Sequence, residues 1–404
     1  MIPLVAWRNI WRHKIRSLVV ISAIAIGLWA GVFMMAFSWG MYKQYLTETV
    51  ETHLSHIQIH NPDFNDDREA KYILRQSTKI YEFIDTLQEV KAVTRRTISS
   101  GMVSSPTTAS GVTINGIFPK DEDEVTQLAH TVMEGKYLDS IGRNPVLIGS
   151  KLAKKLKVKL KNKIILTFQD TAGEIVAGAF RIAGIYKSKN TTLEEMNVYI
   201  RSNDLNRLLA TDNAIHEIAI LLNDDKNLDL VRDKLKNKFK EADIKTWKEL
   251  APELNLIINS FNVYMYIFVG IILLALTFGI VNTMLMAVLE RVREIGMLMA
   301  IGMSRFRIFF MIMLETIYLA LVGGPIGLLI GYFTIEWTGN AGIDMSMFSE
   351  GLSSYGFSTM VYPELDSGYY LPITLMTIIT AILSAIYPAI RALRLKPSEA
   401  IRKI

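Results

Sequence analysis

Residues 17–42 read SLVVISAIAIGLWAGVFMMAFSWGMY, 26 positions without one Asp, Glu, Lys or Arg. A helix needs about 20 apolar residues to cross the hydrocarbon core of a bilayer, so this stretch reads as a membrane span. Two further uncharged runs occupy Leu254 to Leu289 and Ser367 to Ile390, and a fourth, Ile308 to Ile335, is broken only by Glu315. Half of the 404 residues are hydrophobic while 21% are charged, so the apolar excess is concentrated in these runs. With no cysteine in the chain, disulfide and thiolate chemistry are excluded.

The charges between the runs alternate in sign. Arg8, Arg12, Lys14 and Arg16 precede the first run without an acid, and Arg391, Arg394, Lys396, Arg402 and Lys403 follow the last against only Glu399. The connection between the second and third runs holds Arg291, Arg293, Arg305 and Arg307, whereas residues 336–370 hold five acids and no Lys or Arg. Cytoplasmic flanks collect Lys and Arg, so both termini and the 290–307 connection are expected in the cytoplasm. The lysines of residues 43–253 are no objection, because long domains translocate largely regardless of charge.

The expected fold class is therefore an α-helical membrane domain of four transmembrane helices with an inserted α+β extracytoplasmic domain. Its segments are a cytoplasmic interfacial helix (1–16), spans at 17–42, 254–289, 308–335 and 371–390, the outer domain (43–253), a cytoplasmic helix (290–307), an outer loop (336–370) and a cytoplasmic tail (391–404). A signal peptide is the other reading of the first run, with Ala36-Phe37-Ser38 as cleavage site, but the run is roughly twice the length of a signal core. In the interfacial segment Arg8, Arg12 and Arg16 recur every fourth residue, with Leu4, Trp7 and Trp11 on another face. A topology anchor and a coupling role both fit it.

Short β-prone runs at Ile57 to His60, Val112 to Ile117, Lys163 to Phe168, Ala179 to Tyr186, Asn197 to Ile200 and Glu217 to Leu222 mark strands of the outer domain. Helical stretches are expected at Tyr72 to Glu89, Ser150 to Leu156, Asn203 to Leu209 and Leu228 to Glu241, and the whole suggests two lobes.

Two ridges of small residues, Ala23, Gly27, Gly31 and Gly323, Gly327, Gly331, let helix backbones approach closely. They serve either packing within one subunit or contact with a second subunit. Glu315, the one acid within an apolar run, is either functional or an ion-pair partner of Arg305 or Arg307. His53, His56 and His60 cluster after the first span, but with no completing acid or cysteine nearby they read as polar rings on an exposed strand rather than a metal site. Gly142 to Lys151 fails the spacing of a phosphate-binding loop, and no hydrolase or metalloprotease motif occurs, so neither a catalytic residue, a metal nor a cofactor is expected on this chain.

The connection Glu290-Arg291-Val292-Arg293-Glu294-Ile295-Gly296-Met297-Leu298-Met299-Ala300-Ile301-Gly302-Met303-Ser304 is amphipathic, charged at its start and closed by glycine. A short helix of this kind presents an apolar side to a partner groove. With the early Glu and the Gly323-Gly324 pair of the next span, it resembles the permeases of the type VII ABC superfamily, which includes the lipoprotein-releasing LolC/LolE, macrolide-exporting MacB and cell-division FtsX proteins. The opening Ala6-Trp7-Arg8-Asn9-Ile10-Trp11-Arg12, the closing Tyr387-Pro388-Ala389 and Lys396-Pro397-Ser398-Glu399-Ala400-Ile401, and Gly111 to Ile117 are also similar to it.

The resemblance implies a MacB-like periplasmic core, an FtsX-like permease region over 253–400, and mechanotransmission in the inner membrane. It implies ATPase-coupling residues at Glu290, Arg291, Arg293, Glu294, Ile295, Gly296, Leu298, Ala300, Gly302 and Met303. It further implies a separate ATPase subunit carrying ATP and Mg, a second permease, and lipoprotein or amphiphile cargo, with membrane lipids but no nucleic acid as partners. Macrolide exporters carry a fused ATPase and cell-division members a smaller outer domain, so length and domain order point to lipoprotein release. Efflux of an amphiphile or peptide with an adaptor, or signalling to an extracytoplasmic enzyme, are the alternatives.

Overall fold

The computed structural model describes residues 2–12, 14–138, 142–188 and 191–393. The basic tail from Arg394 to Lys403, including the Lys396–Ile401 motif, lies outside them, as do the side chains of Arg16 and His53.

In chain order the chain forms α1 (Ile2–Arg12), α2 (Lys14–Thr49), β1 (Ile57–His60), α3 (Ser77–Asp85), β2 (Val90–Ser104), β3 (Ala109–Ile117), α4 (Pro119–Thr126), β4 (Val132–Gly135) and β5 (Pro145–Gly149). There follow α5 (Ser150–Leu156), β6 (Lys163–Gln169), β7 (Ile175–Tyr186), α6 (Thr191–Met196), β8 (Asn197–Arg201), α7 (Ser202–Leu208), β9 (Glu217–Leu222), α8 (Leu228–Lys238) and β10 (Asp243–Thr246). The last long elements are α9 (Pro252–Glu290), α10 (Val292–Ala300), α11 (Arg305–Ala341) and α12 (Tyr370–Leu393). Two compact units result, one of Met1–Tyr42, Ile257–Asp344 and Met360–Ile404, the other of Lys43–Leu256 and Met345–Thr359.

Among the described residues four helices are long and apolar enough to cross a membrane, with spans at Ser17–Thr52, Val263–Glu290, Arg305–Ala341 and Ser367–Leu393. Their buried faces form two clusters. One gathers Val20, Ile24, Ile280, Met284, Ile308 and Ile312, the other Leu28, Val32, Met35, Met265, Val269 and Ile373. The amphipathic α1 packs along α11, and Trp7 meets Tyr318 edge-on with ring centroids 5.6 Å apart.

In the second unit the pairings β2–β3, β3–β8, β8–β5, β5–β7, β7–β6 and β6–β2 close into a six-stranded barrel. Alternate residues of these strands point inward, so Val103, Ile114, Ile148, Leu166, Phe180 and Ile200 share one core. From β2 the sheet continues outward as β9, β1 and β10. The expected two lobes thus share one strand, because the first half of β2 pairs with β9 and the second half with β3 and β6.

Arg96 stands where β2 changes partners, opposite Glu217 in register. Its Nη1 donates to Glu217 at 2.6 Å, while Nε and Nη2 donate to the Glu122 carboxylate at 2.9 and 2.8 Å. All three residues are buried. Burial alone would raise the Glu217 pKa, but Arg96 and His60 outweigh it and hold the carboxyl down at about 2.

The histidine reading needs correction. Strand β1 lies between β9 and β10, so His56, Gln58 and His60 are buried, not exposed. His60 Nε2 lies 3.0 Å from Glu217, and His56 Nδ1 accepts from the Leu222 amide at 3.0 Å. Burial lowers the His56 pKa against the opposing charges of Asp225 and Glu51.

Candidate functional site

The connection between α9 and α11 is short and geometrically determined. Helix α10 ends in a Schellman motif: the Gly302 amide donates to Met299 at 3.1 Å and the Met303 amide to Leu298 at 2.9 Å. This closure requires the left-handed backbone that Gly302 adopts, with φ at 96°. The glycine thus serves the turn, and a Cβ there would meet nothing within 4 Å.

At the other end of α10, Arg291 Nη1 donates to both Glu315 oxygens, at 3.0 and 3.1 Å, and its Nε donates to Glu294 at 3.0 Å. Asn9 Nδ2 of α1 donates to the same Glu315 at 2.7 Å, and Arg12 approaches Glu294 at 3.8 Å. One polar chain therefore joins α1, the start of α10 and α11. The Arg291 and Glu315 side chains are 12% and 10% exposed, which makes this the tight link. Arg12 and Glu294, at 68% and 36%, form a solvent-screened one.

Glu315 was expected to pair with Arg305 or Arg307, and it does not. At about 1.5 Å rise per residue those arginines lie roughly 15 and 12 Å away along the same helix. Arg291 reaches the carboxylate because α10 folds back beside α11.

The remaining residues of the connection divide by face. Ile295 and Gly296 are buried, and Met299 and Met303 pack against the core that Ile295 joins. Leu298 is half-buried, while Glu290, Arg293 and Ala300 are exposed. The exposed apolar residues are Met297 at 52% and Ile301 at 85%, one helical turn apart. Sequence reasoning included neither among the coupling residues, and it did not bring Asn9 to Glu315. The four-residue spacing of Met297 and Ile301 on the face opposite Ile295 was the available signal for that pair.

The two small-residue ridges face different neighbours. A Cβ on Gly323 would come within 2.9 Å of the Ile21 carbonyl, and one on Gly327 within 2.6 Å of the Ala25 carbonyl, so this ridge lies against the backbone of α2. Gly331 approaches Val32. Gly27 and Gly31 instead meet Leu276 and Ile272 of α9, with Ala23 half-buried on the same helix. Among the described residues no group of three His, Cys, Asp or Glu is disposed to hold a metal.

A family model of the MacB-like periplasmic core domain matches residues 17–238, and one of the FtsX-like permease C-terminal region matches residues 266–397. The chain is 21% identical to the lipoprotein-releasing system transmembrane protein LolC of Neisseria meningitidis, over 96% of this chain and 94% of that one. It is 24% identical to the macrolide export ATP-binding/permease protein MacB of Campylobacter jejuni, over 99% of this chain and 61% of the relative. An uncharacterized ABC transporter permease of Methanocaldococcus jannaschii is 20% identical over 98% and 96% of the two chains. With four apolar helices, a MacB-like periplasmic core and an FtsX-like C-terminal region, the chain is an inner-membrane protein belonging to the ABC transporter permeases of the type VII superfamily.

Proposed function

We propose that this chain is the permease subunit of an ABC complex that takes lipoproteins from the inner membrane for release toward the outer membrane. The observation that carries the coupling part is α10: a short helix fixed at its head by Arg291 and Glu315 and presenting Met297 and Ile301 outward. Such a helix seats in the groove of a separate ATPase subunit, which holds ATP and Mg and performs the hydrolysis. With both termini and α10 in the cytoplasm, closure of the ATPases pushes on α10. The push travels through α11 and along α2 and α9, the helices that lead to the outer domain in sequence. Two permeases, identical or paralogous, form the working unit. The end-to-end similarity to LolC supports lipoproteins as cargo.

The similarity to MacB over 99% of this chain supports a second reading, efflux of an amphiphile with an adaptor protein. Depletion of the protein separates the two. Accumulation of lipoproteins in the inner membrane supports release, whereas normal lipoprotein sorting with raised sensitivity to amphiphilic toxins supports efflux. Purification of substrate-stimulated activity from the permease alone, without any ATPase, sinks both.

A further inference from the structure

The outer domain contains a cavity of about 650 Å³ beside β4, β5 and β7. Ile182 and Ala183 line it together with Leu160 and Pro145, and Lys136, Arg143, Lys161 and Arg181 surround them. Among the described residues its lining includes no Asp or Glu, and none of the four cations has an ion-pair partner. Four exposed like charges around one cavity raise the local positive potential, which favours an anion there.

The backbones that carry the cations are fixed. Between Val146 and Leu147 the β5–β7 register skips Ala183, whose carbonyl accepts from the Lys136 amide at 2.9 Å. The Lys161 amide donates to Ile182 and the Arg181 amide to Asn144, each at 2.9 Å. Arg201 Nη2 donates to the Gly142 carbonyl at 2.7 Å, next to Arg143. Lys161 and Asn144 both take left-handed backbones, with φ at 68° and 54°, which non-glycine residues adopt rarely.

We propose that this cavity is a binding site for an anionic amphiphile, with its phosphate or carboxylate among the four cations and its apolar body against Leu160 and the aliphatic stems of those Lys and Arg side chains. A volume of this size suits a small ligand or a single headgroup rather than a protein face. The assignment does not depend on the cargo of the transporter, and its test needs neither ATP nor a partner subunit, so it fails or succeeds separately from the transport reading.

The experiment is equilibrium dialysis of octyl phosphate, below its micellar concentration, against the full chain in nanodiscs of zwitterionic lipid, with empty nanodiscs subtracted. Inorganic phosphate and octyl glucoside are the parallel probes. The expected result is saturable binding of octyl phosphate, at least tenfold weaker binding of either other probe, and at least tenfold loss of affinity in Arg143→Glu/Arg181→Glu. Lys79→Glu, on α3 and outside the cavity lining, should bind as the parent does. Thermal unfolding checks that the variants are folded, and the neutral pair Arg143→Gln/Lys161→Gln should lose affinity in the same direction. Absence of saturable binding, equal affinity for inorganic phosphate, or unchanged affinity in folded charge variants would overturn the assignment.

Discussion

Arg291 at the head of α10 and Glu315 in the third turn of α11 form a two-point ion pair, with one Nη1 3.0 and 3.1 Å from the two carboxylate oxygens. Removing one partner of a largely buried pair strands the other charge, at a cost of up to about 3–5 kcal/mol, whereas removing both is close to neutral. Glu315→Leu should therefore lower the thermal transition of the detergent-purified protein, and Arg291→Leu/Glu315→Leu should recover most of the loss. Coupling should stay impaired in the double variant, because α10 is then no longer held at its head. A double variant as unstable as Glu315→Leu would show that the pair does not act as a unit.

Met297 and Ile301 make a second prediction at the same helix. Both are exposed apolar side chains on a short surface helix, and burying one in a partner groove contributes roughly 1.5–3 kcal/mol. Met297→Asp and Ile301→Asp should each weaken association with the ATPase subunit by about tenfold or more, read by co-purification, with membrane insertion and thermal stability unchanged. Glu294→Lys should act differently, since it places a cation beside Arg291 and Arg12 and loosens the helix head. Undiminished ATPase association in both Asp variants would remove α10 as the docking element.

Two glycines of α11, three positions apart, give an internally controlled test of close packing. A Cβ on Gly327 would lie 2.6 Å from the Ala25 carbonyl, a backbone atom that cannot step aside, while one on Gly324 would meet nothing within 4 Å. Overpacking of this kind costs about 1–3 kcal/mol. Gly327→Ala should lower the thermal transition by several degrees and Gly324→Ala should not. Equal effects would mean that α2 and α11 do not approach at this ridge.

What the sequence disclosed and what it withheld follow the range of the forces involved. The four spans and the strand at Glu217 to Leu222 were legible because an uncharged run and a β-branched run are local signals. The 15-residue β2 was passed over, since Thr94, Arg95, Arg96 and Thr97 look like a polar loop until Glu122 and Glu217 are brought to them. The same holds for Glu315. Its isolation in an apolar run was plain, but Arg291 and Asn9 are 24 and 306 positions away, and only the folded chain places them. The histidines after the first span read as surface groups because burial of β1 depends on β9 and β10, far along the chain.

Buried histidines give the outer domain an acid dependence whose sign is fixed by their hydrogen bonds. His216 Nδ1 accepts from the Ile98 amide at 3.0 Å and Nε2 lies 2.9 Å from the Ala70 carbonyl, so the ring is neutral with its proton on Nε2. Burial lowers its pKa below the ordinary 6.5, with a further push from His60, against the Ala70 hydrogen bond; the His56 pKa is lowered as well. The unfolded chain then binds more protons than the folded one between pH 6.5 and the lowered values, so stability present above pH 6.5 is lost as pH falls through that window. Each histidine contributes at most about 1.4 kcal/mol per pH unit. A second loss follows below about pH 4.5, where unfolded Glu217 takes up a proton that the folded chain refuses until about pH 2. Thermal unfolding of the full chain should show falling stability from pH 6.5 to 5, a shallower slope in His216→Asn, and no change in that variant's slope between pH 7 and 8. A parent slope of zero across pH 5 to 6.5 would mean that these imidazoles protonate in the folded state as readily as in the unfolded one.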